Sequence, residues 1–397
     1  MKAVDDEGAT AASYSLRDLV RYFLVLGTVG FGGPVALVGY MHRDLVERRS
    51  WISEEDYNEG LALAQLAPGP LAAQLGIYLG YVHYGVVGAT LAGLAFVLPS
   101  FLMVLAISWA YVRFGGLSWM QSVFYGVGAA VIGIIALSAY RLTTRTLKRE
   151  RLLWSIYLAA LLATVITESE NVLLFLGAGV LAWLVKAPPR PRASSRISSF
   201  AAPAMSTVAA SLVNWTADWG LLGRMALFFG KAGAFVFGSG LAIVPFLYAG
   251  CVHEMKWLDN RQFLDAVAVA MITPGPVVIT TAFIGYMVAG WAGAGVAALA
   301  TFLPCYLFTI LPAPHFKRWG REPAVLAFVQ GVTAAATGAI AGAVIILARR
   351  SLVDGPTLLL AGATLVVLWQ WKKIPEPVVV LVAAALGLVI RTLTSTH

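Results

Sequence analysis

The sequence predicts an all-α integral membrane protein of two inverted-topology repeats with broken or re-entrant helices, about 10 to 13 membrane segments in all. Three observations predict it: an apolar composition, an internal repetition, and basic loops that alternate between the copies. Of 397 residues, 59% are hydrophobic and 12% charged, and the mean hydropathy is +0.79, outside the range of soluble globular chains. Apolar stretches long enough for the roughly 20 residues that cross a bilayer recur from Tyr22 to the C-terminus. Short charged loops separate them and leave no room for a soluble domain.

The net charge of +8 would suggest nucleic acid in a soluble chain. Here Lys and Arg sit in short loops between apolar runs, where they carry topological information instead. Cys251 and Cys305 lie in or beside apolar stretches without CxxC or Cys/His spacing, and none of the five histidines stands in HxxxH spacing with an acid. Neither a disulfide framework nor a zinc site is indicated, and no metal, cofactor or metalloenzyme chemistry is expected. Residues 1–16 form a polar tail holding Asp5, Asp6 and Glu7, the reverse of a cationic signal peptide, so the first apolar run is expected to stay in the membrane.

The repetition is the strongest signal. Phe31-Gly32 matches Phe237-Gly238, Trp51 matches Trp257, and Pro68-Gly69-Pro70 matches Pro274-Gly275-Pro276, each 206 residues on. Beyond that the offset is 205, pairing Leu98-Pro99 with Leu303-Pro304, Arg113 with Arg318, Gly126-Val127 with Gly331-Val332, and Gly133 with Gly338. One deletion accounts for the change. The chain divides into the tail, a first repeat over 17–187, a linker over 188–218 and a second repeat over 219–397. The linker region holds Pro188, Pro189, Pro191 and Ser194–Ser199, with four basic residues from Lys186 to Arg196.

Each copy begins with an apolar segment broken by glycines (17–40; 221–248), then a charged amphipathic stretch (41–57; 249–263) in which Trp51 and Trp257 suit the interface. A segment broken by Pro-Gly-Pro follows (58–84; 264–289), then four helices near 86–112, 118–140, 152–167 and 171–186 and their counterparts. Loop 141–151 holds Arg141, Arg145, Lys148, Arg149 and Arg151, against Arg349 and Arg350 in its counterpart. Loop 113–118 holds one Arg, against Lys317, Arg318 and Arg321, and Glu168 and Glu170 stand where the second copy has Lys372 and Lys373. Rich and poor members swap each time, as opposite orientation requires. Two routes give the needed odd count: a re-entrant Pro-Gly-Pro segment, leaving five crossings per copy, or a spanning helix near 200–218.

Irregular backbone at membrane depth is tolerated only inside protein or along a wet cavity, and such breaks mark transport sites in inverted-repeat transporters. Proline suits the first turn of a helix, so Pro34, Pro70 and Pro276 each start one. The helix N-termini they create carry free N–H groups and roughly half a positive charge each. Four such ends around one midplane cavity fit a tetrahedral dianion. The competing reading is that Gly and Pro only permit close packing, as Gly76xxxGly80 and Gly338xxxGly342 do; four breaks in repeat register favour the site. The candidate substrate-binding residues are Gly32, Gly33, Pro34, Gly69, Pro70, Gln74, Lys231, Gly238, Ser239, Gly240, Thr273, Gly275, Pro276 and Thr280. Lys231, whose counterpart is Val25, either selects a dianion by its charge or snorkels from a helix end. Gln74 and Thr280, 206 apart, either donate hydrogen bonds or pack helices. Glu59 and Asp265, also 206 apart, either couple proton movement or pair with loop arginines.

FGGP (31–34), MHRDLVERRSWIS (41–53) and APGP with Gln74, Tyr78 and Gly80 resemble the N-terminal half of the chromate ion transporter (CHR) family. FGSG (237–240), Trp257-Leu258 and TPGP (273–276) with Gly285-Tyr286 resemble its C-terminal half, so the likeness covers nearly the whole chain and matches the long, two-domain members. It implies chromate efflux and chromate resistance by a multi-pass protein of the bacterial inner membrane, with two homologous halves of opposite orientation and sulfate as competitor or exchange partner. The implied partners are chromate, sulfate and membrane lipid, not nucleic acid; a homodimer is left open. Leu71 stands where many long members have an acidic residue, and Ser239 where they have glycine. Alternating access around a midplane anion site is the expected mechanism, with uniport, proton antiport and exchange all open. The rivals are a sulfate or other oxyanion importer, a membrane-embedded enzyme, for which no carboxylate, His or Cys cluster at membrane depth is found, and a non-transporting scaffold.

Overall fold

The computed structural model describes residues 14–30, 33–114, 118–167, 172–188, 220–235, 240, 243–316, 322–352, 354–371 and 374–394, and all regular secondary structure among them is helical. The first repeat forms α1 (Leu16–Val29), α2 (Gly33–Met41), α3 (Glu54–Leu66), α4 (Leu71–Phe114), α5 (Ser118–Leu147), α6 (Arg151–Thr167) and α7 (Val172–Lys186). The second forms α8 (Leu221–Ala234), α9 (Ile243–Tyr248), α10 (Asn260–Ile272), α11 (Thr280–Ile310), α12 (Pro323–Ser351), α13 (Gly355–Gln370) and α14 (Glu376–Thr394). Wider π-helical turns, His42–Arg48 and Ala249–Glu254, extend α2 and α9 at equivalent places. A 3₁₀ turn, Val277–Ile279, leads into α11. The alternative spanning helix near 200–218 lies outside the described residues.

Short polar residues set the helix starts by accepting from orphan amides. Ser15 and Asp18 form a capping box on α1. Ser53 accepts from the Asp56 amide to start α3, and Asp259, 206 residues on, forms a capping box with Gln262 on α10. The same device therefore opens the same leg in both copies.

The long helices α4 and α11 are hairpins. Gly85 (φ 55°, ψ −148°) and Gly290 (φ 59°, ψ −146°) hold backbone angles that a Cβ resists, and the chain turns back at each. A Cβ on Gly80 would lie 2.4 Å from the Gly88 carbonyl oxygen, and one on Gly285 2.3 Å from that of Gly293. The first leg packs on the second only because both contact positions are glycine. Gly80 and Gly285 stand 205 apart, so the deletion lies in the short leg, where the second copy winds its tighter 3₁₀ turn.

The second legs of α4 and α11 pack on each other in opposite directions. The Thr90 and Tyr306 hydroxyls meet at 2.5 Å, while Leu105, further along α4, clusters with Ala294, earlier on α11. Beyond them the copies interlock: α13 and α14 of the second repeat pack on α5 of the first, and α6 and α7 of the first pack on α12 of the second. Small residues let these backbones approach. A Cβ on Gly126 would lie 2.0 Å from the Ala383 carbonyl oxygen and one on Gly133 2.7 Å from that of Ala361. In the other copy, a Cβ on Gly331 would lie 2.3 Å from the Ala178 carbonyl oxygen and one on Gly338 2.2 Å from that of Tyr157. Repeat-marking glycines are thus helix-crossing points.

Burial sorts the layers. The most apolar windows of α5 and α12 are each 72% buried, against 33% and 39% for those of α4 and α11, so the first pair is central and the second pair presents a face outward. That face carries Leu94, Leu98 and Leu102 on α4 and Leu299, Leu303 and Leu307 on α11, all exposed. Exposed leucines in such density belong against lipid. With four helices among the described residues long and apolar enough to cross a bilayer, the protein is a multi-pass membrane protein.

The crossing points make a prediction. Gly133→Leu and Gly338→Leu push a side chain into a neighbouring backbone and each destabilise the fold by about 1–3 kcal/mol, whereas Gly295→Ala, which meets nothing within 4 Å, leaves stability unchanged or slightly raised. Melting temperatures of the purified variants in detergent check this order.

Candidate functional site

Pro-Gly-Pro ends one helix and starts another. The residue before a proline is pushed to extended angles, and Ala67 (ψ 143°) and Thr273 (ψ 134°) stop α3 and α10 there. Gly69 (φ 146°) and Gly275 (φ 95°) make the bend that a side chain would resist. Pro70 and Pro276 then lead into α4 and the 3₁₀ turn before α11.

The legs on either side fold back on each other. A Cβ on Gly60 would lie 2.3 Å from the Tyr78 ring, and the charge of Glu59 acts on the Tyr78 hydroxyl. These contacts pair residues nearly equidistant from Gly69. With 13 residues in each of α3 and α10, a leg extends about 20 Å at 1.5 Å per residue, short of the roughly 30 Å hydrocarbon core.

The second tip is fully buried and touches the first repeat. The Gly275 N–H donates to the Gly30 carbonyl oxygen at 3.0 Å, and Gly30 caps α1 just before the first glycine-rich break. Ser100, buried on α4, stands where a Cβ on Gly275 would lie 2.0 Å from its Oγ, and its hydroxyl reaches the Gly27 carbonyl at 3.4 Å. A Cβ on Gly240, at the second glycine-rich break, would sit 3.4 Å from Val277 and 3.5 Å from Val278. Three of the four breaks therefore meet at their described residues or edges, Gly30, Gly240 and the second Pro-Gly-Pro. The fourth does not join them by any described contact: around Gly69 the nearest group is the Gln74 amide, 2.6 Å from a Cβ placed there.

The polar side chains divide their capacity unevenly. Gln74 is wholly buried; its Nε2 donates to the Pro68 carbonyl at 2.8 Å and its Oε1 has no partner among the described residues. Thr273 and Thr280 are buried and donate into their own helices, to Val269 at 2.6 Å and Val277 at 2.7 Å. Gln74 and Thr280 thus do different work despite their matching offset. The Gly275 amide is also spent, on Gly30. Among the described residues, the first-turn amides of Leu71, Ala72, Ala73, Val277 and Val278, which precede the first intrahelical bonds, have no backbone acceptor.

Other expected residues fall as follows. Gly33 and Pro34 begin α2, while Gly32, Gly238 and Ser239 lie outside the described residues. Lys231, half-buried in the last turn of α8, feels the carboxylate of Glu254 in the π-helical turn. Asp265 is 2% exposed and accepts from the Tyr111 hydroxyl at 2.6 Å. Among the described residues no three His, Cys, Asp or Glu side chains gather as a metal site, and Cys251 and Cys305 are buried free thiols. Sequence reasoning missed Ser100 and Tyr111. Ser100 directly follows the matched Leu98-Pro99, a usable signal; Tyr111 had none, because its counterpart is Phe316.

Broken helices that meet inside a lipid-faced, twice-repeated bundle are the architecture of a membrane transporter, and comparison with known proteins agrees. The profile of the family described as "Chromate transporter" matches residues 17–183 and 223–388, once per repeat. The chain is 68% identical over 96% of its length to a "Chromate transport protein" of Cupriavidus metallidurans, covering 94% of that protein. It is 61% identical over 95% of its length to a "Probable chromate transport protein" of Synechococcus elongatus, covering 96% of it. A "Chromate transport protein" of Pseudomonas aeruginosa is 33% identical over 94% of this chain and 92% of its own. No solved structure matches. The chain belongs to the chromate transporter family.

Gly275→Ala introduces both a strained φ and a clash with Ser100, and is expected to lower thermal stability in detergent by about 1–3 kcal/mol. Ser100→Gly in the same chain recovers only the steric part. Equal stabilities of the single and double variants would contradict the contact.

Proposed function

We propose that the protein exports chromate across the bacterial inner membrane, and so confers chromate resistance, by alternating access of two oppositely oriented repeats around an anion site made of helix N-termini. The observation that carries this reading is the Gly275–Gly30 hydrogen bond, which joins breaks of opposite repeats inside the bundle. Chromate is a tetrahedral dianion that needs donors on several sides. First-turn amides supply them without a buried cation, each helix end adding roughly half a positive charge. Sulfate has the same shape and charge and competes for the same amides.

Opposite orientation is supported by the antiparallel packing of the equivalent helices α4 and α11, because equivalent helices related by a twofold axis in the membrane plane must run against each other. The Pro-Gly-Pro hairpins are read as re-entrant, their tips ending near the midplane. They are packed unequally: the second has α5, α11 and α14 against α10, while α3 leaves Asn58 and Gln65 exposed. Unequal packing of equivalent elements is what one end state of a rocking transporter requires. Outward movement of a dianion is favoured by an inside-negative potential, at about 2.3 kcal/mol per charge per 100 mV. The names of the relatives support chromate as the cargo.

Flux of labelled chromate into inverted and right-side-out vesicles, with and without the protein, tests the reading. Inverted vesicles bearing the protein are expected to accumulate chromate, and excess sulfate to slow the uptake. Equal traces with and without protein would end the transporter reading, and uptake only by right-side-out vesicles would reverse its direction.

A further inference from the structure

We propose that Asp265 is the residue whose protonation couples proton movement to anion transport, and that Tyr111 is the positioning residue that transmits its state between the repeats. The proposal rests on the transport reading above and adds the coupling device to it. Asp265 sits five residues into α10, about 8 Å along the leg, so the path to water on that side is short. It is 2% exposed, yet its carboxylate has no ion-pair partner among the described residues and is held by one hydroxyl, Tyr111 Oη at 2.6 Å. The described groups whose charge acts on it are Arg261 and Asp259, both at the start of its own leg; of the other elements packed on that leg, the π-helical turn Ala249–Glu254 carries His253 and Glu254 and α14 carries Glu376. A buried carboxylate without a counter-ion is costly while charged. The reaction is minimal: one proton from water adds to the carboxylate, no other covalent bond changes, and the Tyr111 hydroxyl loses its charged acceptor.

The two repeats differ in a way that singles out Asp265. Glu59, its counterpart, lies near Tyr78 on the facing leg of its own hairpin, close enough for its charge to act on that hydroxyl. Counting back from the equivalent Gly80 and Gly285, Tyr78 corresponds to Phe283, and Tyr111 corresponds to Phe316. Each carboxylate thus keeps one tyrosine, but the hydroxyl has moved. In the first repeat it lies within the hairpin, so the pair travels as one body. In the second it lies on α4 of the other repeat, and the Phe283 ring sits edge-on to Tyr111 with centroids 5.2 Å apart. Any displacement of the second hairpin against α4 must break the Asp265–Tyr111 bond, whereas displacement of the first leaves Glu59–Tyr78 intact. Protonating Asp265 weakens the one bond that spans the repeats.

The full chain in liposomes, with labelled chromate outside and a pH-sensitive dye within, tests the assignment. The wild-type protein is expected to move protons opposite to chromate and to respond to an imposed gradient of about one pH unit, worth about tenfold in accumulation per coupled proton. Asp265→Asn should keep chromate flux down its own gradient and lose both the proton signal and the response, while Glu59→Gln keeps both. Tyr111→Phe should stay coupled with a shifted pH profile of flux; an unmoved profile would overturn the latch even if Asp265→Asn failed to fold. Coupling retained in Asp265→Asn, or lost equally in Glu59→Gln, would overturn the assignment. Wild-type chromate flux indifferent to protons would sink this inference alone, and no wild-type flux at all would sink the transport reading beneath it.

Discussion

A peptide group facing hydrocarbon without a hydrogen-bond partner costs several kcal/mol, and the architecture follows from how this chain handles that cost. Each repeat breaks its backbone twice, at a glycine-rich stretch and at Pro-Gly-Pro. Every described break is covered by protein. Gly275 gives its amide to Gly30, Gly240 lies against Val277, and Gln74 closes over the Pro68 carbonyl. What remains at the tips is a small set of first-turn amides, which in the proposed anion site stand in for a lysine or arginine that would be hard to bury.

Covering the breaks demands close backbone approach, and the glycines supply it. Gly27 passes the Phe96 carbonyl and Gly233 that of Thr301, each so near that a Cβ would lie 2.2 and 2.1 Å from the oxygen. The exchange of terminal helices between repeats, with α13 and α14 on α5 and α6 and α7 on α12, adds a second constraint. Neither copy has a complete core of its own, since the largest buried cluster joins α5 of the first repeat to most of the second. In the proposed alternating access, the interlocked half is the hinge and the hairpin half the part that moves.

Duplication leaves two copies free to diverge, and divergence here falls where chemistry is asymmetric. Ser100 faces a counterpart that is Cys305, Lys231 a counterpart that is Val25, and the tyrosines at 78 and 111 face phenylalanines at 283 and 316. Scaffold positions such as Gly85 and Gly290 remain matched because the same turn is needed twice. The proposed export cycle is directional, so groups that would bias it have no reason to obey the twofold relation.

The sequence by itself determined the membrane class, the duplication, the two breaks per copy and the family, because hydropathy and the backbone demands of Gly and Pro are local and need no knowledge of neighbours. It located Gly69, Gly275 and Asp265 as places of interest for the same reason. Only the tertiary structure decided that the second Pro-Gly-Pro seats on Gly30 and Ser100, that the donors of Thr273, Thr280 and Gly275 are already spent, and that Asp265 finds its hydroxyl on Tyr111. That last pair is 154 residues apart. A contact of that kind leaves no period and no spacing in the chain, since it exists only after two helices from different repeats have packed.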